Sequence, residues 1–598
     1  MTTTPQTFDA VQTAVIANRV DGIVREMTNT LLRSARSAVI NSARDFSCAI
    51  TTSDNRLLAC AEGLPVHIFG AQLQTASMTR LHPDLAEGDA YLDNDPYVGS
   101  SHAADHTILV PVFIDGEHMF TAVAKAHQAD IGNSIATTYH ARARDVYEEG
   151  ALLFPVVKVQ ENYQDRADIL RMCQYRIRVP EQWRGDYLAA VGATRIAERR
   201  LKTLCDKYGK QAIRRFLDDW FAYSESMMRT AIKKLPEQTL RNSGRHDPFL
   251  PFLPDGLPFN VEIDIRPRTA EIVVDMTDNV DNVDCGLNMT EATTTAAVMA
   301  GIFNCIGKDI PKNSGSFSPI TVLLRDGAAV GKPKFPHSCS VATTNLTDRV
   351  VNCVGSAFAQ LGDGYGLSEG AVGVGVGTST VSGNDPRNGG APFVNQIVVF
   401  ANGGPASSEA DGWLTFGLPV ISGLMYRDSI EIDEIKMPLL YRHVRVMKDS
   451  PGAGRYRGGA AVEAEFGPIG DAPITVIYPC DGQETPPKGV LGGADGQLAE
   501  GWVATADGTR TKLPPNAEVQ IQPGETIIGI DSSGSGYGDP LTRDPAAVLH
   551  DVVEKWISPE TAESTYGVIL IEGEHPGRYH IDQTATDRRR SAMTGTNR

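Results

Sequence analysis

Two histidines and an aspartate fall within five residues in SSHAADH: His102, Asp105 and His106. They sit on a Gly/Ser-rich turn that leads into the apolar run TILVPVF. A turn that only reverses the chain has no use for imidazoles. Five of the 13 histidines (His102, His106, His118, His127 and His140) lie in this one part of the chain. Two other segments carry similar groups: SARDFSCAI brings Asp45, and AKAHQADIGN brings His127 and Asp130. Neutral imidazole with carboxylate is a borderline N/O donor set. It suits Zn²⁺, Mn²⁺ or Fe²⁺ better than Ca²⁺ or Mg²⁺. The same groups can move protons, and His106, Asp130 and Glu149 (in DVYEEGALLF) are acid/base candidates. Any one of them alone is better explained by a hydrogen bond in a turn or core, and H-x-x-D is a short motif. The clustering is what points to a site.

Segments this far apart need a scaffold to bring them together. Asp45 and His127 lie in or next to strand-like runs, with His102 on the loop between strands. DFSCAITTSDNRLLAC reads as two strands around SDN, and YLDND, TILVPVF and MFTAVAKAH as three more, the last two joined by a DGEH hairpin turn. Before them, Val20, Ile23, Met27, Leu31, Ala35 and Ala38 recur at steps of three and four, which predicts one long helix over 9–40. After them, residues 164–235 read as amphipathic helices, and the Pro-rich stretch 236–258 as a boundary. FNVEIDIRPRTAEIVVDMTD is a strand pair, and helices are expected at about 290–305 and 345–361, the second with Asn345 or Thr347 as N-cap. From about 362 the chain turns glycine-rich with short strand-like runs, then DPAAVLHDVVEKW and SPETAESTYG give two short helices. The expected fold is α+β in three regions. Residues 1–240 carry the site, 241–400 are mixed α/β, and 401–573 are β-rich with terminal short helices. Residues 574–598 show no pattern and are expected to be disordered.

With 598 residues, 41% hydrophobic and 21% charged, the composition is that of a globular protein. The net charge of −18 argues against binding nucleic acid by phosphate neutralisation. No apolar stretch is long enough for a membrane span, and MTTTPQTFDAVQ has no signal-peptide pattern. The nine cysteines are odd in number and form no CxxC, which suggests reduced thiols and a cytoplasmic location. SPGAGRYRGG (450–459) is either a Gly-rich turn before a strand or an anion cradle using Arg455 and Arg457. AVGVGVGTST and GSGYG lack the context and ending of a phosphate-binding loop, so no nucleotide site is expected on this chain.

NDPYVGSSHAAD, AHQADIG and DFSCAI resemble the hallmark segments of the hydantoinase B/oxoprolinase family. DVYEEGALLFPVVKV, VPEQWRGDYLAAVGA, SPGAGRYRGG and GSGYGDPLTRDPAAVLHDVVEKWISPETAESTYGV extend the resemblance from about residue 10 to about residue 570. The resemblance implies a B-type subunit of a hetero-oligomeric, ATP-dependent enzyme. Such enzymes hydrolyse cyclic amides (hydantoins, oxoproline, lactams) or carboxylate acetone-type ketones. It further implies a partner of the hydantoinase A type that binds ATP and Mg²⁺ in an actin-like fold. It also implies a metal on this chain, Zn first with Mn or Fe as alternatives, held by Asp45, His102, Asp105 and His127. The chain departs from the family pattern at Gly99-Ser100-Ser101, at His127-Gln128-Ala129-Asp130 and at DSSGSG. All four implied ligands survive these changes, while the surroundings that set the substrate do not.

Overall fold

The computed structural model describes residues 10–595 except 62, 374, 401, 415 and 576. Its fold is α+β, with several mostly antiparallel sheets. The first sheet has seven strands: β1 (Phe46–Thr52), β2 (Leu57–Ala61), β3 (Ala90–Asp93), β4 (Asp105–Ile114), β5 (Glu117–His127), β6 (Val157–Glu161) and β7 (Gln164–Asp165), in the order β2-β1-β5-β4-β3-β6-β7. All its neighbours pair antiparallel. The predicted hairpins are present, with Asp115-Gly116 turning β4 into β5.

Both faces of β4 and β5 are buried, and the two-residue alternation of a strand sends their side chains into two different cores. Ile108, Val110, Val112, Ala122, Ala124, Ala126, Cys48 and Ile50 face the long helices Ala10–Ser34 and Pro180–Tyr208. Leu109, Val123 and Ala49 face the opposite way, into a core shared with the rest of the chain. Asp105, His127 and Asp45 have the parity of this second set, whereas His106 has the parity of the first.

The helix expected over 9–40 is broken. It ends at Ser34 and resumes as Ala38–Asn41. Asp186 holds the break, its Oδ1 accepting from the backbone N–H of Arg36 at 2.5 Å and of Ser37 at 3.2 Å. Satisfied this way, the freed backbone donors need no further helical turn.

The middle sheet joins β8 (Gln238–His246), β9 (Leu257–Arg266), β10 (Glu271–Asp275) and β11 (Ile320–Leu323) in the order β11-β10-β9-β8. The helices Glu291–Cys305 and Leu346–Ala357 pack together beside it. Asn345 does stand at the N-cap position of the second helix, but with φ of 53° and no side-chain cap bond. Its carboxamide instead contacts His246 Nε2 at 3.0 Å.

Two further sheets follow: Ala391–Gln396, Thr380–Asp385, Ile474–Pro479 and Asn516–Ile521 in one, and Leu439–Val446, Val462–Pro468, Thr526–Ile530, Glu500–Ala504 and Arg510–Lys512 in the other. Thr380–Asp385 pairs directly with Ile474–Pro479, so the β-rich body begins before residue 401. Its glycine loops stack backbone on backbone. A Cβ at Gly534 would lie 1.9 Å from Gly404 O, and one at Gly458 would lie 2.0 Å from Gly534 O. The arginines of SPGAGRYRGG are already paired, Arg455 with Asp363 and Arg457 with Asp551 at 3.1 Å, so this stretch is a packed turn.

The tail differs from expectation. Tyr579–Ile581 pairs with Leu570–Glu572, and Gln583–Gly595 is a helix. It lacks an apolar stripe because polar bonds hold it: Arg590 donates to Tyr566 O at 2.9 Å and to Arg543 O at 2.7 Å, with Thr586 buried beneath.

Candidate metal centre

Three adjacent strand ends build the centre. Asp105, the first residue of β4, lies directly opposite His127, the last of β5. Asp45 immediately precedes β1 on the other side of β5, and its carbonyl accepts from His127 N at 3.1 Å. His102 sits one turn upstream of Asp105, whose N–H bonds back to His102 O at 3.3 Å. Antiparallel register and parity thus bring residues far apart in sequence to one corner of the sheet.

A further histidine, His67, meets them there. It lies on the one-turn helix Pro65–Ile68, which follows β2. The close approach needs a glycine just before it, because a Cβ on Gly63 would stand 2.8 Å from Ile68 and 2.9 Å from Ser47.

Asp105 is the hub. Its Oδ1 lies 3.0 Å from His102 Nε2 and 3.2 Å from His127 Nδ1, and its Oδ2 lies 3.2 Å from His67 Nε2 and accepts from Ser101 Oγ. The outer nitrogen of each imidazole is held from behind: His102 Nδ1 by Ser340 O at 3.0 Å, His127 Nε2 by Thr138 Oγ1 at 3.1 Å, His67 Nδ1 by Ser47 Oγ at 3.1 Å. Anchoring by the outer nitrogen fixes ring orientation and turns the other nitrogen inward, as metal-ligating histidines require. Tyr139 stacks on His127 with ring centroids 5.3 Å apart. Ligand atoms of His102, Asp105 and His127 all lie within 4.8 Å of one another, and the three residues are buried, so this group could hold a metal ion.

The electrostatics suit a cation. Burial alone would raise the Asp105 pKa, but the charges of His102 and His67 and the imidazole hydrogen bonds outweigh it and hold the carboxyl well below the usual range. Burial would lower the His102 pKa, yet Asp105 keeps it raised. Asp45 is pushed up, mainly by burial and only partly offset by His127 and His67. Its Oδ1 is 3.8 Å from His67 Nε2, beyond hydrogen-bond reach. A divalent ion would let both carboxylates ionise together.

The acid/base candidates lie elsewhere. His106 points to the helical side, where Trp183 Nε1 donates to its Nδ1 at 3.2 Å and burial pushes its pKa down to about 3. Asp130 accepts from Gly132 N and is paired with Arg178 at 3.0 Å. Glu149 accepts from Ser338 Oγ at 2.7 Å, behind the turn that anchors His102. The structure gathers His102, Asp105 and His127 into one group with Asp45 near it, outside that group, and leaves His106, Asp130 and Glu149 out of the cavity described next.

Asp45, His67, Asp105, His127 and Tyr139 close one end of a cavity of about 50 Å³. A water-sized group needs about 10–15 Å³ of such space. Its walls are mostly apolar, among them Leu64, Val66, Val398, Phe400, Val420 and Ile421. Asn402, Gln396 and Arg427 are polar exceptions. His67, Tyr139 and Asn402 went unnoticed in the sequence. In AEGLPVHIFG a lone histidine among apolar residues looks like a core residue.

Comparison with known proteins gives relatives that match most of this chain. The caprolactamase subunit beta of Pseudomonas jessenii is 28% identical over 601 residues, covering 98% of this chain and 100% of that one. The 5-oxoprolinase of Saccharomyces cerevisiae is 24% identical over 89% of this chain, which spans only 42% of that longer protein. Among solved structures, the ATP-dependent caprolactamase of Pseudomonas jessenii superposes with a TM-score of 0.87 at 27% identity, over 98% of this chain and 100% of the other. A nucleotide-free acetone carboxylase gives the same TM-score of 0.87 at 17% identity over 98% and 83% of the two chains, a likeness of fold alone. The family model for hydantoinase B/oxoprolinase matches residues 9–540, and the chain belongs to that family.

Proposed function

We propose that this chain is the metal-binding subunit of an ATP-dependent enzyme that hydrolyses a cyclic amide, and that it works with a hydantoinase A-type ATPase subunit. One observation carries the reading: a cavity with largely apolar walls ends on a corner of converging imidazoles and carboxylates. The walls suit an apolar part of the substrate, and the polar end suits its carbonyl group. The full-length likeness to a caprolactamase subunit supports this choice of substrate class.

Asp45, His102, Asp105 and His127 are the proposed ligands, with His67 alongside. When bound, a Zn²⁺-like ion would supply Lewis acidity, polarising an oxygen brought to it. The protein's own residues do the rest. Ser340, Thr138 and Ser47 fix the three imidazoles, and the apolar walls exclude bulk water. Amide resonance makes direct attack by water slow, and a phosphoryl group placed on the amide oxygen removes that resonance: water adds to the carbon, the C–N bond breaks as the nitrogen takes a proton, and the acyl phosphate left on the opened chain is hydrolysed to carboxylate and phosphate. Phosphoryl transfer needs a phosphate cradle and Mg²⁺, which we assign to the partner.

The test is to purify the chain alone and with its ATPase partner, then measure metal content, ATP hydrolysis and lactam ring opening. The pair should open the ring and the single chain should not. His102→Ala should lose bound metal and ring opening while ATP hydrolysis persists. Ring opening by the single chain, or bicarbonate consumption by the pair on ketones in place of ring opening, overturns the reading.

A further inference from the structure

Asn402 is 1% exposed and lines the cavity, yet neither Oδ1 nor Nδ2 of its carboxamide has a hydrogen-bond partner among the described residues. Buried polar groups are almost always paired, because an unpaired one forfeits its hydration for nothing. The carbonyl of Asn402 and the residue after it are held in place. Asn402 O accepts from Phe416 N and Gly417 N, both at 3.1 Å. The next residue is wedged so tightly that a Cβ on Gly403 would lie 2.2 Å from Gly459 O. A fixed backbone therefore delivers an unpaired donor and acceptor into the same cavity that ends on Asp105 and His127.

We propose that Asn402 determines specificity by pairing with a cis amide before it is phosphorylated, taking its N–H and its C=O at once. A carboxamide presents one donor and one acceptor along a single planar edge, whichever way it is flipped. A small lactam ring holds its amide cis, so the ring N–H and C=O also leave from one edge, and the two edges match. An open-chain trans amide points these groups in opposite directions. A ketone, or a lactam methylated on nitrogen, offers only the acceptor and leaves Asn402 Oδ1 buried and unpaired. A site built to pair an N–H discriminates strongly against analogues that lack it. This inference rests on the reading of the cavity as a cyclic-amide site.

The experiment compares the wild-type chain with Asn402→Leu and Asn402→Ala, the first keeping the volume and the second removing it. Binding of δ-valerolactam, N-methyl-δ-valerolactam and cyclohexanone is measured by titration calorimetry, and thermal unfolding is followed without ligand. The wild type should prefer the N–H lactam by about tenfold or more, and both variants should level the three affinities. Asn402→Leu should also melt higher than the wild type, by about 1–2 °C, since it removes unpaired buried groups. No preference in the wild type, a preference kept in both variants, or a lower melting point for Asn402→Leu overturns the proposal. Ring opening by the complex is assayed separately. If the preference tracks Asn402 while no ring opens, the subsite stands and the hydrolase reading falls.

Discussion

Asp105 receives three imidazoles and a serine hydroxyl on two oxygens, so the site depends on how those imidazoles are aimed. His67 and His106 offer a contrast between two buried histidines near the same strands. His67→Ala removes a group 3.2 Å from Asp105 and should weaken Zn²⁺ binding by about 10–100-fold, read by competitive titration with a chromogenic chelator. His106→Phe should leave Zn²⁺ affinity unchanged but cost about 1–3 kcal/mol of stability, because Trp183 Nε1 loses its acceptor. Equal effects on metal affinity would refute this division. His102, Asp105 and His127, the group that could hold a metal, were legible because they clump in sequence and resemble a family pattern. Strand parity, already present in TILVPVF and MFTAVAKAH, also separates His106 from Asp105. His67 was not legible, because its role depends on where β2 delivers a one-turn helix, which no local pattern encodes.

Among the elements, the short helix Ile430–Lys436 carries an electrostatic load that its length conceals. Asp433 is fully buried, and burial, with Glu434 adding and Lys436 opposing, pushes its pKa up to about 6. Asp428, just before the helix, is pushed well above the usual range by burial and by Asp433 itself. Each keeps one carboxylate oxygen without a partner among the described residues. A carboxyl whose folded pKa is raised holds its proton more tightly folded than unfolded. Its stabilisation is therefore full below the unfolded value of about 3.9 and is lost as pH rises through about 6. Asp433→Asn should be more stable than the wild type at pH 8 by about 1–3 kcal/mol and should flatten the stability profile between about pH 4 and 6. Urea unfolding at pH 4.5 and pH 8 measures this, and an unchanged difference between the two pH values would count against it. Periodicity found the long helices and the hairpins of the first sheet. It missed Gln583–Gly595, where arginine-to-carbonyl bonds replace an apolar stripe.

Across the whole molecule, composition shifts near residues 240 and 400 suggested three regions, yet one hydrophobic core holds residues from Ala49 to Ile421. The cavity shares this dependence, with Asp45 and His127 from the first region and Val398, Phe400 and Val420 from later ones. A buried charge cluster ties the middle to the C-terminal part. Arg349 bonds Asp481 through Nε at 2.8 Å and Nη2 at 3.1 Å, and lies 3.9 Å from Asp247. Asp247 in turn accepts from the backbone N–H of Gln483, Glu484 and Thr485. Burial would raise the Asp481 pKa, but Arg349 and His246 hold it far below the usual range, so its contribution is present above the unfolded value and is lost only at strongly acid pH. Arg349→Met keeps most of the side-chain volume but leaves two carboxylates buried without their counter-charge. Breaking such a pair from one side costs about 3–5 kcal/mol, far more than the pair contributes over an apolar replacement. The loss should appear as a lower urea midpoint at pH 7, and Arg349→Met with Asp481→Leu should recover much of it. Because the core crosses the region boundaries, the variant should still unfold in one transition by both circular dichroism and tryptophan fluorescence. Two separated transitions would mean that the C-terminal sheets are an independent unit, and that the cavity walls can part from the metal corner without unfolding it.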